Sequence, residues 1–355
     1  EASEELTEAD SSPEPSTLDF DGYRESIKQF TAHERDVRQI EFSGDGTTLL
    51  TASGNDKNVR FWDAATHEEK LTVDAGEGAV YAFALPKGEK TIVTVHSNGS
   101  IVETDIATKK TSRWPQKHDL YVTSVEMSSD GSVMVSTATD GRSGVGNVRL
   151  WDIKAGTQKW QYSLLDAGAS SAGFSPDGEH ILAGVDGVIR LLDRATGQPL
   201  SVFDGTGQAG ATVARFAPQP ADRLLTADAG AMRLWNTVTG LEVRRFRGYS
   251  TQVPPKAAMF SPDGRFAVSL LNGTPAVRIW DVSSGRHVAQ FGSQADLLSC
   301  MAFSPDGKSL AFGHANGSVS LWKLPDTVFN LEAFGMPAET AGEAGDALDA
   351  SKPAG

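Results

Sequence analysis

Seven histidines, one cysteine and one glycine-rich run have the best claim to chemistry in this 355-residue chain. His33, His67, His96, His118, His180, His287 and His314 are scattered, and no two stand at the short spacing that aims paired imidazoles at one metal ion. Cys300 is the only cysteine, which rules out an internal disulfide or a thiolate cage; in "LLSCMAF" it reads as a small buried hydrophobe. The run "DGRSGVG" (140–146) lacks the Lys-Ser/Thr of a phosphate loop and leads into no helix, so it reads as a flexible loop insertion. "DAGAS" and "GFSPDG" do not make a GxSxG nucleophile elbow. The carboxylates of "TASGNDKN" (51–58) and of the repeated "PDG" turns lack the alternating density of a calcium loop. The expectation is a non-enzymatic chain with no catalytic set, no metal and no cofactor.

What remains is a pattern of elements. Trp62, Thr104, Trp151, Leu192, Trp235, Trp280 and Trp322 mark equivalent points of seven units, separated by 42, 47, 41, 43, 45 and 42 residues. An earlier marker is Phe42, Phe83, Met127, Phe174, Phe216, Phe260 and Phe303. It is followed by "SGDG", "SSDG" or "SPDG" in units 1, 3, 4, 6 and 7 and by looser turns in the other two. In these turns Pro fixes φ, Asp accepts a backbone hydrogen bond and Gly admits a positive φ. "VRQIEF" and "VRFW" alternate apolar and polar residues, as short half-buried strands do. Units near 43 residues built of strand-length apolar runs predict a propeller rather than a helical solenoid.

These motifs resemble the WD40-repeat family over roughly residues 26–324: "FWD" (61–63), "LWD" (150–152), "LWN" (234–236), "IWD" (279–281), "LWK" (321–323) and "TAH" (31–33). The resemblance implies an all-β, seven-bladed propeller of four-stranded antiparallel blades, with strands a to d in each. It also implies a histidine–hydroxyl–Asp–Trp brace. His33, Asp56 and Trp62 match it in the first unit, with Thr51 or Ser53 as the hydroxyl, while the third unit keeps His118 and Trp151 but has Gly146 at the turn. Trp235, Trp280 and Trp322 are expected to pack between blades. The last unit has only three strands, and "SIKQF" (26–30) is the spare fourth, so an N-terminal strand is expected to close the ring.

Residues 1–22 read as an acidic flexible segment, 23–330 as the propeller and 331–355 as an acidic Ala/Gly-rich tail. Most of the net charge of −14 sits on the two flanks, so the nearly neutral body gives no footprint for nucleic acid. No run of 18 apolar residues is present, which predicts no membrane insertion. The chain starts without Met or a leader pattern and is compatible with a mature product or a segment of something longer. Its compartment stays open: unpaired cysteine usage slightly favours the cytoplasm, and a processed exported form fits as well.

As a platform, the expected monomer would present its d–a and b–c loops on the narrower face. Arg35, Asp36, His96, Tyr121, Arg142, Tyr249 and His314 are the candidate contacts to a protein or peptide whose identity the sequence does not give. Two other functions compete with this reading. One is a central-channel sensor or enzyme, marked by converging ionisable groups; the other is a propeller module of a larger bacterial-type signalling or haem-containing protein.

Overall fold

The computed structural model describes residues 27–324, except 55, 77, 87, 89, 119–120, 140–145, 165–167, 186–187, 204–212, 221, 229, 247–254, 272–275 and 293–296. Within them the chain forms seven four-stranded antiparallel sheets, and no helix. Six blades take their strands in chain order, over 37–74, 80–113, 121–164, 169–203, 213–245 and 257–292. The seventh joins 298–323 to the strand Ile27–Thr31, which pairs antiparallel with Ser318–Lys323, Ile27 opposite Trp322 and Thr31 opposite Ser318.

The blades form a closed ring. First strands of neighbouring blades touch at six seams, and at the seam of blades 6 and 7 Phe266–Leu270 meets Leu298–Phe303. Apolar alternation explains why: each sheet has two inner faces and must bury both. Seven apolar cores result, one at each seam and each drawn from two adjacent blades. Trp151 and Trp280 are fully buried, and Trp62, Trp235 and Trp322 nearly so. Each such side chain removed from water contributes roughly 1.5–3 kcal/mol or more. The outer strands carry less, and Thr111–Arg113 is exposed throughout.

The turn motif works as its residue types require. In blade 1 the Ser43 hydroxyl and the Thr47 N–H both donate to Asp45, while Gly46 sits at φ 74°. Ser128–Asp130, Ser261–Asp263 and Ser304–Asp306 repeat it. These hydrogen bonds hold the carboxyls of Asp45, Asp130 and Asp306 below the usual carboxylate range.

Register corrects one marker. Ile40 faces Thr51 across its sheet, and Phe83 faces Thr94 at the same place in blade 2. Phe83 is therefore the counterpart of Ile40, and Leu85 is the counterpart of Phe42. Two apolar residues of the same parity stood there, and counting six residues back from the start of the second strand picks Leu85, as it picks Phe42 in blade 1.

Deleting residues 1–31 removes the strand paired with Ser318–Lys323 and is expected to lower the melting temperature and broaden the transition. Deleting 1–18 is expected to leave both unchanged. Equal melts for the two truncations would show that the strand contributes nothing to the ring.

Candidate functional site

Antiparallel order puts the loop entering each first strand on the same face as the loop joining its second and third strands. Five first strands carry a β-bulge next to that face, at Arg38, Tyr81, Thr123, Ser170 and Ser299. A bulge adds one residue and re-aims its side chain. At the seam of blades 1 and 2 the outcome is a built cluster. The Arg38 guanidinium lies 4.8 Å above the Tyr81 ring centroid, and its Nε is 3.6 Å from Asp36. Arg38 runs across Gly54, where a Cβ would stand 2.1 Å from Nε, so any side chain there would displace it. Asp36 in turn accepts from the Ser299 hydroxyl at 2.7 Å, tying it to blade 7. Arg35 is exposed beside it, and its carbonyl accepts from Ser53 Oγ.

Two buried braces fix the loops behind this face. In blade 1, His33 Nδ1 pairs with Asp56 at 2.8 Å, its Nε2 meets Thr51 Oγ1 at 2.9 Å, and the Trp62 indole N–H donates to the same oxygen at 3.0 Å. Thr51 is thus the hydroxyl of the brace, while Ser53 bonds the Arg35 carbonyl. In blade 3, His118 Nε2 and Trp151 Nε1 share Ser136 Oγ, both at 2.7 Å, and no carboxylate among the described residues reaches His118 Nδ1. Burial and the nearby Arg149 push the His118 imidazole down to about 3, so it stays neutral. Blade 5 has no histidine in the brace. Trp235 donates to Thr226, and a buried Asp228–Arg233 ion pair fills the place.

The opposite end of the channel holds a second feature. Glu41, Glu126 and Arg215 occupy equivalent positions in blades 1, 3 and 5, facing Leu50, Val135 and Leu225 across their sheets. Glu41 and Glu126 line a cavity of about 480 Å³ with Phe42, Leu85, Met127 and Phe303. Burial, then the charge of Glu126, pushes the Glu41 carboxyl up to about 7. Burial also raises Glu126, against the pull of Arg215 and of the Phe174 N–H that it accepts at 2.8 Å.

Several of the residues proposed from sequence meet at one place and others do not. Arg35 and Asp36 lie together, and Tyr121, 59% exposed, stands at the start of the first strand of blade 3 on the same face. Arg142 and Tyr249 lie outside the described residues. His96 and His314 are a correction. Each ends a second strand and is 1% exposed, with His96 bonded to Thr94 and the Gly78 carbonyl and His314 to Ser320. They brace their blades and present no side chain to a partner. Sequence reasoning missed Arg38 and Tyr81. The available signal was the "DVRQ" and "AVYA" entry to the first strands, where a long polar or aromatic residue follows Val37 and Val80. Among the described residues no group of three or more His, Cys, Asp or Glu could hold a metal, and no helix is long and apolar enough to cross a membrane.

The family model for the WD domain, G-beta repeat, matches residues 24–63 and 285–323. Curated relatives include apoptotic protease-activating factor 1 of Rattus norvegicus, 27% identical over 68% of this chain and 19% of its own length. Autophagy-related protein 16 of Arabidopsis thaliana is 25% identical over 82% of the chain and 56% of its own length. Transcription initiation factor TFIID subunit 5 of Caenorhabditis elegans is 28% identical over 62% and 33%. The chain therefore spans less than two thirds of each of these relatives.

Two outcomes follow from this chemistry. Ser136→Ala leaves Trp151 Nε1 and His118 Nε2 without their shared partner and is expected to cost about 1–3 kcal/mol. Ser269→Ala removes a buried hydroxyl that nothing among the described residues bonds, and is expected to stay within about 0.5 kcal/mol of the parent. Equal denaturant midpoints would discount the brace. For Glu41, the folded chain binds the extra proton between 4.5 and about 7, so this group's stability contribution falls as pH rises through that window. Glu41→Gln is expected to melt higher than the parent at about pH 8 and to lose that advantage by about pH 4. A gain that is the same at both ends would assign the effect to packing.

Proposed function

From the premise that the chain is a WD40-repeat β-propeller, we propose that it is a non-enzymatic interaction scaffold that binds a protein or peptide on its narrow-face loops. The observation that carries the reading is the Arg38–Tyr81 stack, held by Gly54 and flanked by Asp36. Its two planar, amphipathic side chains are ordered before any partner arrives. Arg and Tyr supply contact area and directed hydrogen bonds together, and ordering them in advance spares the complex part of its entropy cost. Arg35 and Tyr121 extend the surface on either side of this stack. Relatives in this family typically serve as interaction scaffolds, which supports the same reading.

A second reading stands on one observation, the channel cavity that Glu41 and Glu126 line. Its apolar wall and half-buried carboxylates suit a small organic cation. Calorimetric titration of the full chain with alkylammonium ions, repeated on Glu41→Gln/Glu126→Gln, separates this reading from the first. No heat above that of the variant removes it.

A partner identified by pull-down and then titrated as a purified protein tests the leading reading. Arg38→Ala/Tyr81→Ala is expected to weaken binding by more than about tenfold, or about 1.4 kcal/mol, with the melting temperature unchanged. Tyr121→Ala is expected to weaken it less. Undiminished affinity in both variants would move the binding surface off the narrow face.

A further inference from the structure

Repetition lets each blade act as a control for the others. In the turns between third and fourth strands, the Asp or Asn closing the third strand donates its N–H to a carbonyl five residues on. The pairs are Asp63 to Glu68, Asp105 to Lys110, Asp193 to Gln198, Asn236 to Leu241 and Asp281 to Arg286, all at 2.8–3.0 Å. Four of the five acceptor positions are charged or polar; blade 5 has Leu241, 67% exposed. Three residues earlier stands Val238, 83% exposed, where blade 1 has Ala65 on the same side-chain cap. Val243, 43% exposed, is the bulge residue of its fourth strand. The matching bulges of blades 1 and 3 are Lys70 and Lys159, each paired with the Asp of its own turn. Blade 4 has Leu200, 53% exposed, at its own bulge, so one exposed apolar residue there is ordinary; three within six positions, two of them where sister turns are small, polar or charged, form a patch that the fold does not require.

The surround of this patch is cationic. Arg245 has a side chain 61% exposed, and Arg244 lies along the blade 6 turn so closely that a Cβ at Gly285 would stand 2.9 Å from its Cδ, next to Arg286. The carboxylate within the fourth strand, Glu242, is shared between Arg245 at 3.2 Å and Arg233 at 3.3 Å. The outer edge of Glu242–Arg245 is short and carries two arginines, which discourages pairing with an added strand and leaves side-chain contact as the mode of docking.

We propose that this outer corner of blade 5 docks an amphipathic, acidic segment of another protein. Its apolar side chains would cover Val238, Leu241 and Val243, and its carboxylates would meet Arg244, Arg245 and Arg286. The surface is separate from the narrow face and serves a second partner or a second part of the same one.

Three fluorescein-labelled synthetic peptides test it on the full chain by anisotropy: an amphipathic sequence with glutamate flanks, the same sequence with lysine flanks, and a scrambled control. The glutamate peptide is expected to bind and the other two to bind at least about tenfold more weakly. Val238→Ala/Leu241→Gln/Val243→Lys, which gives blade 5 residues that sister turns carry, is expected to abolish the preference with an unchanged melting temperature. Arg38→Ala/Tyr81→Ala is expected to leave it intact. Equal binding of glutamate and lysine peptides, or full binding by the triple variant, would overturn the proposal. So would glutamate-peptide binding that appears only after residues 325–355 are deleted, which would make the chain's own acidic end the occupant. Concentration-dependent self-association lost in the triple variant would make a second copy the occupant and overturn it too.

Discussion

A ring of radial sheets leaves one edge of every first strand without a neighbouring strand, and its N–H and C=O groups still need partners. For the first strands of blades 1, 2 and 4, side chains of the preceding blade supply some of them. Gln39 bonds both the N–H and the carbonyl of Phe83, each at 2.8 Å. Ser124 accepts from Ala172 N–H, Thr123 donates to the Ala169 carbonyl, and Glu126 accepts from Phe174 N–H. Across the seam where the chain ends meet, Cys300 Sγ donates to the Val37 carbonyl. Each of these bonds points from one blade to the next, so at three of the seven seams side-chain-to-backbone contacts run in one direction beneath the apolar core.

That constraint reaches both ends of the channel. Toward the narrow face the bulges spare one residue in each of five first strands from the ladder, and Arg38 and Tyr81 among them become surface. Toward the other end the same requirement places a carboxylate, Glu126, against a backbone N–H, with Glu41 two blades away at the same level. The cost of holding two acids there is visible as their raised pKa values. Gly173 fits this arrangement, since a Cβ on it would come within 3.0 Å of Glu126 Oε2.

The loops are positioned as firmly as the strands. Gly317, at φ 87°, lets the blade 7 turn approach the chain entering blade 1, and its carbonyl accepts from both Ala32 and His33. A Cβ there would stand 2.1 Å from the His33 carbonyl oxygen. His33 then braces Thr51, Asp56 and Trp62, so the loop carrying Arg35 and Asp36 is anchored at both blades it touches. The rim of blade 5 follows the opposite logic: its turn has the same backbone bonds as its sisters, and only its side chains differ.

Spacing, turn chemistry and alternating polarity are local, and by themselves they determined the number of units, the all-β class and the Ser-Asp-Gly turns, while the brace of His33, Asp56 and Trp62 followed from the family resemblance that the motifs carry. Such features depend on a few neighbouring residues, which a sequence displays directly. Only the tertiary structure decided which side chains face solvent near a strand end. His96 and His314 look like loop residues in sequence, yet the ring folds them inward onto Thr94 and Ser320; Arg38 and Tyr81 look like strand residues, yet a one-residue bulge turns them outward. Pairing of Glu41 with Glu126, and of Arg38 with Tyr81, joins residues about one to two repeats apart. Their meeting depends on how blades rotate about a common axis, a long-range quantity that no short window of sequence contains.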